Sequence, residues 1–221
     1  MSKAHPRPDD RTARARIRHA ALWCFARGGF STSLRVIADR AGVSVPLITH
    51  HYLTKEALRR TCDDWVLERF LDLKILAIRR PETVSRTLSD TAEASVMTVY
   101  MLRSFLDATS SARSFFEHFV ERLRTVMAAA TQAGIVNPSE DDEERLHLLA
   151  AQSIGILLVE FVINPPDDPR EFMDRVYTSR TLVAQLDLYS HPLFTPSAPM
   201  ETYLEYARSK GAQGAQGAQA A

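Results

Sequence analysis

SLRVIADRAGVSVPLITHHYLTK, residues 33–55, orders its residue types as two short helices joined by a tight turn, with a third helix starting at its end. Ser33 is placed to cap the first, because a serine hydroxyl accepts from a backbone N–H that has no partner inside the helix. Leu34, Ile37, Ala38 and Ala41 recur at helical spacing and give that helix one apolar face. Gly42 follows directly, the residue type that most easily takes the left-handed conformation ending a helix. After Val43, Ser44 offers a second cap, and Pro46 falls early in the next helix, where its missing N–H costs little. Leu47, Ile48 and Tyr52 supply apolar surface there. Thr54 caps the third helix, which opens with Lys55 and Glu56. Cap, helix, glycine turn, cap and short helix make a helix-turn-helix.

The charge around this stretch is segregated. The 221-residue chain has no net charge, yet residues 1–60 hold twelve Lys/Arg against four Asp/Glu, a balance of +8, and the remainder holds 15 basic and 23 acidic residues, a balance of −8. A basic quarter on an acidic remainder suits a nucleic-acid-binding head on a non-binding body. A hydrophobic share of 45% and a charged share of 24% are ordinary for a soluble globular protein. Cys24 and Cys62 fall in predicted helices with no signal peptide ahead of them, so a reduced, cytoplasmic setting is expected. The longest apolar stretch, Leu146 to Ile163, is interrupted by His147, Gln152 and Glu160 and is not expected to span a membrane.

Outward from the motif the pattern stays helical. Residues 1–10 are polar, with two prolines, and should be mobile. Arg11 to Arg27 should form a helix behind the helix-turn-helix, with Arg11, Arg14 and Arg18 along one side, able to reach phosphates. The helix opened at Thr54 continues to about Ile78 and leaves the head for the body; Pro81 breaks it. Further helices are expected over about 82–107, in one piece or in two because its threonines and valines weaken helix propensity, from Ser110 to near Gly134, over about 141–163 and over 169–189, with a short one over 200–208. The acids from Glu140 to Glu144 favour a helix start, where they meet the positive end of the helix dipole. The GAQGAQGAQAA end should be disordered. No strand pattern occurs. The expected fold is all-α: a three-helix head over 1–54, a larger helical body over 55–208 and a tail over 209–221.

The run IADRAGVS…HHYLTKEAL resembles the DNA-binding signature of the TetR family of bacterial transcriptional repressors. That signature combines a small-residue "IA..AGVS", an aromatic-rich end to the recognition helix and a lysine opening the next helix; Ala38, His51, Tyr52 and Lys55 stand in register with it. A recognition helix lies in the major groove with its early residues at the base edges, here Val45, Pro46 and Leu47. The two aliphatic ones can pack on thymine methyls but cannot hydrogen-bond a base. Arg35 either binds a guanine edge or contacts a phosphate only. Thr49 stands where the family most often has a phosphate-binding tyrosine, and its hydroxyl has a shorter reach. His50 and His51 are candidate phosphate contacts, with His51 alternatively packed on the first helix. The resemblance assigns Lys55 to a phosphate, and Ser33 can cap and touch phosphate together. Neighbouring histidines on a helix diverge, so no metal is expected.

Family likeness further implies a homodimer on a palindromic operator in double-stranded DNA, with the helices over 141–163 and 169–189 similar to the pair that forms a four-helix bundle across the dimer axis. It also implies a small-molecule effector pocket in the body, between the helix leaving the head and those of residues 82–133, for which Met97, Tyr100, Met101, Phe105, Phe115 and Phe119 are candidates. Few charges interrupt these apolar stripes, so an uncharged or weakly polar apolar effector is expected. Repressor is the family expectation, with activator or protein-interaction module as the alternatives. The sequence holds no G-x-S-x-G, no glycine-rich phosphate loop and no zinc spacing, so neither an enzyme nor a cofactor is expected.

Overall fold

A computed structural model describes residues 8–83, 91–107, 110–139, 141–178, 181–191, 201–207 and 209. The expected mobile start before residue 8 and the expected tail from residue 210 lie outside the described residues. The elements are α1 (Pro8–Gly28), α2 (Leu34–Ala41), α3 (Val45–Tyr52), α4 (Lys55–Arg79), a 3-10 turn (Pro81–Thr83), α5 (Thr91–Leu106), α6 (Ser110–Gln132), α7 (Asp142–Ile163), a second 3-10 turn (Pro169–Glu171), α8 (Phe172–Thr178) and α9 (Thr181–Ser190). No strand occurs among the described residues, and the fold is all-α. Residues 1–178 form one compact unit and residues 179–221 another.

The local chemistry of the head accounts for its helix ends. Ser33 Oγ accepts from the Val36 N–H at 3.4 Å. Gly42 sits at φ 63°, and the N–H groups of Gly42 and Val43 donate back to Asp39 (3.3 Å) and Ala38 (3.0 Å), closing α2 with a left-handed cap. Thr54 Oγ1 accepts from the Ala57 N–H at 3.0 Å and starts α4. Ser44 differs from expectation: it precedes α3 in extended conformation, but its hydroxyl makes no cap bond. Pro46 already removes one N–H from that first turn.

One hydrophobic core runs through the first unit. Ile17, Ala21 and Phe25 of α1, Ile37 of α2 and Ile48 of α3 are buried with Leu58, Cys62 and Val66 of α4, and the cluster continues into Tyr100 and Leu102 of α5. Helix α4 packs against α6, α1 against α5, and α6 against α7. The bidentate Arg124–Glu143 pair, at 2.9 and 2.8 Å, joins α6 to the start of α7. Ser95 is fully buried because its Oγ accepts from the Met173 N–H at 3.0 Å, satisfying a donor in the first turn of α8.

The stretch expected as one helix or two from Glu82 opens with a 3-10 turn and holds α5 from Thr91; residues 84–90 lie outside the described residues. The helix expected over 169–189 opens with a 3-10 turn and holds α8 and, in the second unit, α9, with residues 179–180 between them outside the described residues. Asp168 makes the turn by accepting from the Arg170 backbone N–H at 2.9 Å while pairing with its guanidinium. Apolar period does not distinguish one long helix from two in phase: Phe172, Met173 and Val176 are buried, whereas Val183 and Leu186 of α9 are exposed. In the second unit residues 201–207 are helical, with Tyr203 and Tyr206 exposed.

Candidate nucleic-acid interface

Helix α3, the expected recognition helix, is held from behind. Tyr52, at the end of α3, is buried and its hydroxyl donates to the Arg14 carbonyl of α1 at 2.7 Å, while Arg14's guanidinium lies 5.4 Å from the tyrosine ring centroid. Arg16 donates to the Ala41 and Gly42 carbonyls at 3.3 and 3.4 Å, closing the end of α2 onto α1. With Ile48 buried, the remaining face of α3 is turned outward: Pro46, Thr49 and His50 are exposed, Val45, Leu47 and His51 half-buried. Arg35 and Ser33 are exposed at the start of α2, and Lys55 is half-buried at the start of α4. These residues lie on three consecutive helix starts or faces of one packed head.

Three side chains differ from the simplest reading of the sequence. The Thr49 hydroxyl donates to the Pro46 carbonyl at 2.9 Å, so it is engaged by α3's own backbone. His51 Nε2 is buried without a hydrogen-bond partner among the described residues, and the ring lies 5.3 Å from that of His50. Arg18 is half-buried with its guanidinium 5.0 Å from the Trp65 ring, which removes it from the arginines available to phosphates; the side chain of Arg11 lies outside the described residues. Arg40, stacked 3.3 Å from the Trp23 ring, is exposed and adds a cation that the motif does not reveal. Ser44 adds an uncommitted hydroxyl at the start of α3.

Behind this head, α5 bears two kinds of contact. On one side Tyr100 donates to Asp63 Oδ1 of α4 at 2.6 Å, and Arg103 donates to the Ala26 and Arg27 carbonyls at the end of α1, at 2.5 and 2.9 Å. Arg59 of α4 pairs with Asp107 at 2.5 Å and stacks 3.5 Å from the Phe30 ring, which itself meets Tyr100 edge-on at 5.5 Å. Burial pushes the Asp63 carboxyl up to about 6, against the opposing effects of the Tyr100 hydrogen bond and the Arg59 charge. Burial likewise raises the Tyr100 hydroxyl well above its ordinary value, with the Asp63 charge adding to it.

On its other side α5 lines a partly open cavity of about 470 Å³, with Met97, Thr98, Met101, Leu102 and Phe105. Phe70, Leu73 and Lys74 of α4, Phe119 and Leu123 of α6, and Ser153, Ile154 and Leu157 of α7 complete most of the wall. Of the six pocket candidates, Met97, Met101, Phe105 and Phe119 are in the lining. Tyr100 is fully buried on the α4 side, and Phe115 is buried with its ring 5.3 Å from Phe105. The period placed all six on apolar faces but could not say which faces enclose space. The helix leaving the head does form a wall, as the family likeness implies, but its lining residues Phe70, Leu73 and Lys74 were not among the candidates.

Residues 17–62 match the family described as bacterial regulatory proteins, tetR family, and residues 93–195 match a tetracyclin repressor-like C-terminal domain. The HTH-type transcriptional regulatory protein RaaS of Mycobacterium tuberculosis (strain ATCC 25618 / H37Rv) is 32% identical over 206 residues, covering 91% of this chain and 96% of the relative. Among solved structures, Salmonella enterica GusR is similar with a TM-score of 0.51 at 21% identity, covering 80% of this chain and 94% of its own. A regulator ascribed to the TetR family from Rhodococcus sp. gives 0.53 at 16% identity, covering 75% and 96%. At such identities these two structures speak to the fold alone.

Proposed function

The chain belongs to the tetR family and is a DNA-binding transcriptional regulator; from that premise we propose a homodimeric repressor that leaves its operator when a small molecule fills the cavity behind α5. The observation that supports release is the double duty of α5. Its Met97–Phe105 side faces the cavity, and its Tyr100 and Arg103 grip α4 and the end of α1. A ligand that favours a displaced α5 therefore favours a displaced head, and DNA affinity falls by the ligand's difference in affinity for the two states. The functional division falls at the start of α4: residues 1–54 read DNA, and 55–208 bind effector and partner.

In this reading Pro46, the outer edges of Val45 and Leu47, and His50 meet base edges in the major groove, with the aliphatic groups against thymine methyls. Arg35 contacts a base or phosphate beside them. Ser33, Ser44, His51 and Lys55 serve the phosphates. Thr49 contributes its methyl first, since donating its hydroxyl to DNA requires giving up the Pro46 carbonyl. The dimer partner covers the outer face of α7, where Leu148, Val159, Val162 and Ile163 are exposed. The reading places the protein in the cytoplasm with its DNA, without catalytic chemistry.

The test is fluorescence anisotropy of the purified protein on DNA from upstream of its own and neighbouring genes, across a salt series. Tight, fragment-selective binding with a steep salt slope is expected, and Lys55→Ala should weaken every fragment alike and reduce the slope by about 1. Absence of binding even at low salt overturns the DNA-reading role of the head.

A further inference from the structure

Among the described residues Lys74 is the one charged side chain in the cavity lining, in walls otherwise built from apolar side chains, Thr98 and Ser153. Its position on α4 puts it a single turn beyond Phe70, and its ammonium lies 5.6 Å from the Phe70 ring centroid. No carboxylate pairs with it among the described residues. The residue is exposed overall and also borders the partly open cavity. Protein nonetheless surrounds the ammonium closely enough that desolvation lowers its pKa.

Filling the cavity changes the position of this cation. An uncharged apolar molecule would displace water from the cavity side of the ammonium and put nothing polar in its place, which is unfavourable. An anion would replace that water with a charge-assisted hydrogen bond. One cation with no carboxylate partner among the described residues matches one negative charge, and the apolar remainder of the wall matches an apolar body. We propose that the cavity binds an amphipathic monocarboxylate, its carboxylate on Lys74 and its body against Phe70, Met97, Met101, Phe105 and Phe119. The inference rests on reading this cavity as the effector site, and it replaces the uncharged effector that the sequence suggested.

Calorimetry on the full chain without DNA tests the assignment, using decanoate, decan-1-ol and decylamine as matched straight-chain probes and 4-phenylbutyrate as an aromatic-bodied acid. At pH 7 decanoate or phenylbutyrate is expected to bind about tenfold or more tighter than decanol, with decylamine weakest. Whichever acid binds better identifies the body that the wall prefers. Lys74→Met, which keeps the length and removes the charge, should abolish the preference for acid over alcohol, and Lys74→Arg should retain it. Equal affinity of acid and alcohol for the native protein, an acid preference that survives in Lys74→Met, or no binding by any acid from hexanoate to tetradecanoate overturns the proposal. Adding the operator fragment separates the two readings: acid that binds through Lys74 yet leaves DNA affinity unchanged supports the site and removes its role in release.

Discussion

Leu53, between the recognition helix and α4, has φ 64° and ψ −58°, and the Thr54 N–H donates across it to the Tyr52 carbonyl at 2.7 Å. That is a γ-turn centred on a left-handed non-glycine residue, a conformation that costs on the order of 1–3 kcal/mol. The side chain is 79% exposed, so little packing offsets the strain. Leu53→Gly should therefore raise stability by about 0.5–1 kcal/mol after glycine's own entropy cost, and Leu53→Val should lower it, since a β-branched residue fits φ > 0 worst; urea unfolding of the two variants checks both signs. Gly42 gives the opposite case. It is also left-handed, and nothing lies within 4 Å of an added Cβ, so Gly42→Ala should lose roughly 1–2 kcal/mol through the backbone alone. A glycine announces such a position in the sequence, which is why the turn after α2 was legible from residue types. Leucine carries no such signal, and the strained corner beside it appears only in three dimensions.

At the scale of elements, the junction of α4 and α5 turns on Asp63. Tyr100 of α5, Arg59 and Asp64 of α4 and His118 of α6 all act on it, but burial dominates and holds its pKa at about 6, above the ordinary 3.8. The sign follows from proton counts. Between those two values the unfolded chain has released the proton and the folded chain retains it, so this group favours folding below 3.8 and loses that contribution as pH rises through about 6. At about 1.36 kcal/mol per pH unit the difference is on the order of 3 kcal/mol. Asp63→Asn keeps an oxygen to accept from Tyr100 and removes the titration. Its stability relative to the native protein should rise between pH 4 and pH 7, measured by thermal unfolding at each pH; a constant difference would mean that Asp63 titrates at its ordinary value. Periodicity had put Tyr100 among the pocket candidates, because spacing gives the face of a helix and not the reach of a hydroxyl to a neighbouring one. The same limit explains the lysine of the cavity wall: spacing along α4 gives no sign of a hollow, and only the placing of α5, α6 and α7 around it creates the one that Lys74 borders.

For the whole molecule the unresolved demand is the outer face of α7. Leu146, Ala150 and Phe161 are buried, which fixes one side of this helix in the core, while Leu148, Val159, Val162 and Ile163 expose between 57% and 69% of their surface. Gly155 falls within that exposed stripe with nothing within 4 Å of a Cβ built on it, so another helix can approach closely there. By length and composition α7 is apolar enough to cross a bilayer. Its first turn, however, carries Asp142, Glu143 and Glu144, and Glu143 is tied to Arg124 of α6. In the proposed homodimer a second copy of the chain would cover this face without detaching the helix from its own core. Two heads would then engage two half-sites together, and the second engagement would be intramolecular, which typically multiplies affinity by roughly 10²–10⁴. Val159→Glu places a charge in the middle of the stripe and touches no buried group, so it should leave helicity intact, shift the protein to monomer in sedimentation velocity and weaken operator binding by a factor in that range. Thr125→Glu, on an exposed position of α6 away from the stripe, serves as the charge control and should remain dimeric. A Val159→Glu protein that still sediments as a dimer with full affinity would place the two-fold axis on another surface and leave the α7 face to a different partner.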